Sequence, residues 1–303
     1  MPVKKLAVVL AALLVALALA AVLFRLRRTI GIRLTLMRIV AALYGVFFLA
    51  TIPQAISPWG ALSFGTGVRA LPLHRWSSAL AGGPDLGVAV VLFYIAWRPL
   101  RAPLALQILA LGTAVFLGAN LPFVGPVLGV IAIPAILILI LYPKPRDLFN
   151  VPWSAGVSWP LLGLGILVSA FLLPDAAIAI ASQIRGADVL AANYDWASNG
   201  EHLINVSLHA LFAGMSKAGS GILRVTASAV LVFLGAAAIA VPNDSGSWGT
   251  LGGWFAIVVG VAIAATTAYE WRRRGDAERF SLQPVSAHES RRDEPLESDA
   301  QPS

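Results

Sequence analysis

Of the 303 residues, 58% are hydrophobic and only 12% charged, and the mean hydropathy is +0.80. A soluble domain carries about 25% charged residues, so these values exclude one and indicate a polytopic membrane protein. The absence of Cys excludes disulfides, thiolate ligands and a cysteine nucleophile. The net charge of +7 comes from basic residues at the ends of apolar segments, which makes them topology signals rather than a surface for nucleic acid.

Residues 6–24 form an apolar run of 19 between Lys4-Lys5 and the Arg25, Arg27, Arg28 cluster. That exceeds the apolar core of about 7–15 residues in a signal peptide, so a retained span is predicted. Apolar segments follow at 34–52, ending at Pro53, and then, after a mixed stretch to His74, at 86–97, 104–120 and 125–141. A Pro-containing connector at 147–158 divides the chain. Beyond it lie segments at 159–173, ending at Pro174, and at 202–215, 222–241 and 251–269. After Trp271 and three arginines, residues 275–303 hold too little apolar surface to pack and are expected to form a disordered cytoplasmic tail.

The two halves share landmarks in one order. Val115-Phe-Leu-Gly-Ala recurs from Val232, Pro53 answers to Pro174, Trp76 to Trp196 and Asp85 to Glu201, at offsets of 117, 121, 120 and 116 residues. The pattern predicts a tandem duplication with four spans in each half, which makes the repeats parallel. The expected organisation is all-α with about nine transmembrane helices: an anchor span at 1–30, four-helix repeats at 31–146 and 159–274 around the connector, and the tail. In this scheme the arginines and lysines at span ends gather on one side, and Asp85, Asp175, Asp188, Asp195, Glu201 and Asp244 on the other. The positive-inside rule then places the N-terminus outside and the C-terminus in the cytoplasm of a bacterial inner membrane.

Polar residues enter an apolar segment most densely between Tyr194 and Met215. On a helix His202, Asn205 and His209 share one face, and ionisable groups at membrane depth mark candidate sites. The plainer reading of His209 is a packing hydrogen bond to a hydroxyl or backbone carbonyl. His202 and His209 lie about 10.5 Å apart along one face and so cannot clamp one haem iron. No metal-ligand spacing is present, although His74 could approach His202. Asp85 and Glu201 read as N-terminal helix carboxylates after Pro84 and Asn199, with Trp76 and Trp196 as interfacial belt residues. Segments 86–97 and 202–215 are too short to cross about 30 Å of hydrocarbon. Either they extend outward through their polar starts, or a water-filled outer recess forms, lined by Asp85, Glu201, His202 and Asn205 with Arg69 or Arg185 as charge partners.

Serine-hydrolase, zinc-protease and phosphate-loop motifs are missing, so no catalytic residue is expected. The lack of acidic residues inside the expected spans argues against a coupled transporter. The four-span unit with a longer outer connection between its first two helices, over residues 38–142 and 159–269, resembles the DoxX-like group of small bacterial membrane proteins. That resemblance implies a quinone-linked context, usually as an accessory subunit. The leading expectation is an accessory or assembly factor of the cell envelope, partnered by the lipid bilayer and other membrane proteins, with no nucleic acid and no cofactor. The alternatives are a membrane subunit of a quinone-linked redox system, with quinone as its cofactor, and a small-solute or lipid transporter.

Overall fold

The structure, a computed structural model, describes residues 30–59, 74–124, 127–149, 156–186, 188–216 and 218–281. The expected first span and Arg69 lie outside these residues. Long apolar runs in a bilayer must pair their own backbone groups, which favours helices. Among the described residues eight principal helices are formed: α1 (Ile30–Leu49), α2 (Arg75–Trp97), α3 (Pro103–Val124), α4 (Val127–Leu141), α5 (Trp159–Arg185), α6 (Asp195–Ala213), α7 (Ser220–Ala240) and α8 (Gly249–Ser281). Among the described residues, extended pairing is limited to an isolated bridge between Val157 and Met215. Among the described residues, six helices are long and apolar enough to cross a membrane. Helix α4 is shorter, and α6 carries Asp195, Glu201, His202, Asn205 and His209 within its 19 residues.

Helix α1 packs on α2, α3 on α4, α5 on α6 and α7 on α8, while α6 against α3 and α2, and α7 against α2, join the two groups. Small residues set the spacing, as expected where lipid supplies no hydrophobic drive between helices. A Cβ at Gly165 would strike the Ala210 carbonyl, one at Gly214 would strike Leu162, and Gly235 and Gly253 each face the other's carbonyl. Apolar side chains such as Leu251 and Trp159 point outward. At one end of the bundle Arg33 donates through Nη2 to the Ile140 and Tyr142 carbonyls at 2.8 and 3.0 Å. The Ser158 amide there donates to the Gly214 carbonyl at 2.9 Å. At the opposite end the Trp76 amide donates to Asp244 Oδ2 at 3.3 Å, and the Trp76 ring stands edge-on to Trp248 with centroids 5.0 Å apart.

Several boundaries differ from the sequence reading. Helix α5 continues through Pro174 to Arg185; one lost hydrogen bond does not end a helix whose apolar surroundings offer the backbone no alternative partner. Helices α2 and α6 begin upstream of Trp76 and Trp196 and run for 23 and 19 residues. Pro84 and Asn199 are therefore interior rather than initiating positions, and Asp85 and Glu201 do not stand at helix starts. Gly82-Gly83-Pro84 looks like a break, but Gly82 lies against Ala55 and Gly83 against the Phe233 ring, where larger residues would collide. Trp76 and Trp196 are buried, at 1% and 9% exposure, so neither is a belt residue. With Asp85, Asp175 and Glu201 inside helices, the premise that counted against a coupled transporter falls. Helix α8 runs to Ser281, so residues 275–281 of the expected disordered tail are helical.

Candidate functional site: a polar-ended cavity in the bundle

A cavity of about 460 Å³ lies among α1, α2, α3, α6 and α7. Its lining joins an apolar wall to a polar cluster. Its apolar wall includes Phe47 and Phe48 of α1, Val88 and Val91 of α2, Ile108 and Phe116 of α3, and Val230 of α7. The polar cluster is supplied by His74 and by Asp85 of α2 and Asp195, Asn199, Glu201, His202 and Asn205 of α6. The volume falls in the usual range of about 300–1,000 Å³ for sites that enclose a small molecule.

His202 is central to the polar cluster. Its Nε2 lies 3.3 Å from Asp85 Oδ1, and its Nδ1 lies 3.0 Å from Glu201 Oε2 and 2.6 Å from the Ser198 carbonyl. Both ring nitrogens thus face oxygen acceptors, a pattern that an imidazolium satisfies with its two N–H groups, or a neutral ring with one carboxyl protonated. The Asn205 amide donates through Nδ2 to Glu201 Oε1. His74 Nδ1 stands 2.6 Å from Asp195 Oδ2, and Asn199 Nδ2 donates to Ser77 Oγ at 3.0 Å, tying α6 to α2. The Tyr44 hydroxyl donates to the Ile131 carbonyl at 2.9 Å. Where α3 passes closest to α6, Gly112 leaves space for Asn205 Oδ1, which a Cβ would approach to 3.1 Å.

Of the residues singled out in the sequence, Asp85, Glu201, His202, Asn205 and His209 all line this cavity. His209 Nδ1 pairs with the Asn205 carbonyl one turn back, at 2.8 Å. Arg185 is exposed, donates to its own Ala181 carbonyl and lies away from the cavity. His74 reaches the cavity but stands against Asp195 rather than His202. Asp195, Ser198 and Asn199 were missed as lining residues. Their signal was present, since positions 195, 198, 202, 205 and 209 continue one helical stripe once α6 is extended upstream. Among the described residues no Lys or Arg lines the cavity, and no group of three His, Asp or Glu is placed to hold a metal ion. Comparison of the chain with family models, with curated proteins and with solved structures finds no match.

Proposed function

We propose that the protein is an accessory component of the bacterial cell envelope that binds an amphiphilic small molecule within the bilayer and performs no catalysis of its own. The observation that carries this reading is the cavity itself, where an apolar wall joins a cluster of carboxylates, imidazoles and amides. Such a shape receives a molecule with a polar head and an apolar body, the kind of ligand a bilayer delivers. The proposed arrangement is nine spans, an anchor followed by two parallel four-helix repeats, with the N-terminus outside and the C-terminus in the cytoplasm, as in a tandem DoxX-like unit. Helix packing supports the duplication: α6 packs on α3 as α7 packs on α2, and α5 packs on α6 as α1 packs on α2. Helix α2 is four residues longer than α6, 23 against 19. That difference equals the drop in landmark offset from the Trp pair to the acid pair, and is close to one helical turn.

To test the binding reading, the protein is purified in mild detergent and its co-purified small molecules are identified by mass spectrometry beside a Val88→Trp variant that fills the cavity. An amphiphile retained by the parent chain and lost from the variant supports the reading. Identical extracts from both would overturn it. A quinone-linked role is the second reading, favoured by the two imidazole–carboxylate pairs in the cavity's polar cluster, which could exchange protons with a bound quinone. A quinone in the parent extract alone would select it. Acids at membrane depth equally serve lipid or small-solute transport, which uptake into proteoliposomes would reveal.

A further inference from the structure

We propose that the polar cluster of the cavity is a site for a primary ammonium group, a protonated amine carried on an apolar body. This rests on the reading of the cavity as an amphiphile site and names its ligand class. Two independent features of the cavity point to it. The first is charge: Asp85 and Glu201 share one imidazole, His202, and among the described residues no Lys or Arg lines the cavity. One imidazole can match at most one of these two carboxylates, and a buried charge left over is costly unless something pairs with it.

The second feature is the kind of hydrogen-bonding atom left over. His74 and Asn199, 3% and 2% exposed, are lining residues whose Nε2 and Oδ1 have no hydrogen-bond partner, and Asn205 Oδ1 has none either. His74 Nδ1 stands 2.6 Å from a carboxylate oxygen, and the two amide oxygens are acceptors by their chemistry. Asn199 and Asn205 therefore each leave an acceptor without a donor. A head group that brings positive charge and three N–H donors meets both needs, whereas a hydroxyl brings no charge and a quaternary ammonium brings no donor. The rings of Tyr44, Phe47 and Phe48 on the same cavity offer faces to a cation, and the aliphatic wall accommodates its apolar body. A head with net negative charge would meet Asp85 and Glu201 as like charges.

The test is calorimetric titration of the full chain in phosphatidylcholine nanodiscs at pH 7, where an alkylamine is protonated as a Lys side chain is. The probes are octylamine, octan-1-ol and octyltrimethylammonium, with empty discs subtracted. The expected result is saturable one-to-one binding of octylamine, about ten-fold or more tighter than either analogue, and a loss of about ten-fold in Asp85→Asn and in Glu201→Gln, as for charge-assisted hydrogen bonds. Two near-isosteric variants are used so that one remains informative if the other does not fold. Discs containing phosphatidylethanolamine separate the sources of the ammonium: weakened octylamine binding there identifies a lipid head group, and unchanged binding a free amine. Equal affinity for octylamine and octan-1-ol, both lost in Val88→Trp, would leave the cavity reading intact and overturn the ammonium assignment. Absence of binding by every probe would overturn both.

Discussion

Two polar clusters sit at opposite ends of α6, and they are built differently. Beyond its C-terminus Arg224 of α7, 1% exposed, donates through Nε to the Ala213 carbonyl at 2.9 Å and through Nη1 to Glu270 Oε2 of α8 at 2.7 Å. Ser158, which precedes α5, donates to the other Glu270 oxygen. One cation meets one anion, the ends of α5, α6 and α7 are fastened to α8, and within this cluster only Nη2 lacks a partner among the described residues. The cluster toward the N-terminal part of α6 has more carboxylates than imidazoles, unfilled acceptors and a cavity beside it. A closed, charge-balanced cluster at a helix end is a fastening. An unbalanced one beside a cavity is what the proposed ligand site requires.

That contrast breaks if the two clusters respond alike to substitution. Arg224→Met leaves Glu270 buried without its cation, and should lower stability by about 3 kcal/mol in denaturant or thermal unfolding in micelles. This is the lower end for a broken buried pair, because the Glu270 side chain keeps 20% exposure. The double variant Arg224→Met with Glu270→Met should recover most of the loss, since replacing both charges with apolar groups is often near neutral. Recovery of ligand binding in the double variant, to the level of the parent chain, would confirm that the fastening and the cavity are separate.

At the other cluster the expected order of effects reverses. Asp85→Asn keeps the shape and faces open volume, so it should change stability by only about 1 kcal/mol while altering what the cavity retains. A loss of stability as large as that of Arg224→Met would make Asp85 a structural residue. His209→Leu should have the smallest effect, about 0.6 kcal/mol, the average for a polar contact between membrane helices, because its observed bond is to its own helix at Asn205. Unfolding curves of this variant check that directly.

The helical fold was legible because apolar runs of about 20 residues have few alternatives in a bilayer. The polar face of α6 was legible for the same reason, since His202, Asn205 and His209 stand out against Leu and Ala at helical spacing. Helix starts were not. Gly82-Gly83-Pro84 carries every local signal of a break, and only its packing against Ala55 and Phe233 shows why the helix passes through it. Asp85 thus reads from the sequence both as a helix-start carboxylate and as a recess residue, and it stands inside α2 and lines the cavity. The Arg224–Glu270 pair joins residues 46 positions apart, and nothing in either local sequence names the other. His74 and Asp195 likewise meet only through the tertiary fold.

Reactivity of a single thiol at the cavity is the most direct check on an open site inside the bundle, since the chain has no native Cys. Asn205→Cys places the thiol on the cavity wall, and Arg185→Cys places a control on an exposed helix end. A membrane-permeant maleimide should label both, and adding Val88→Trp should abolish labelling at position 205 alone. An inert Asn205→Cys beside a fully labelled Arg185→Cys would mean that this face of α6 is packed against its neighbours and that no ligand can reach it.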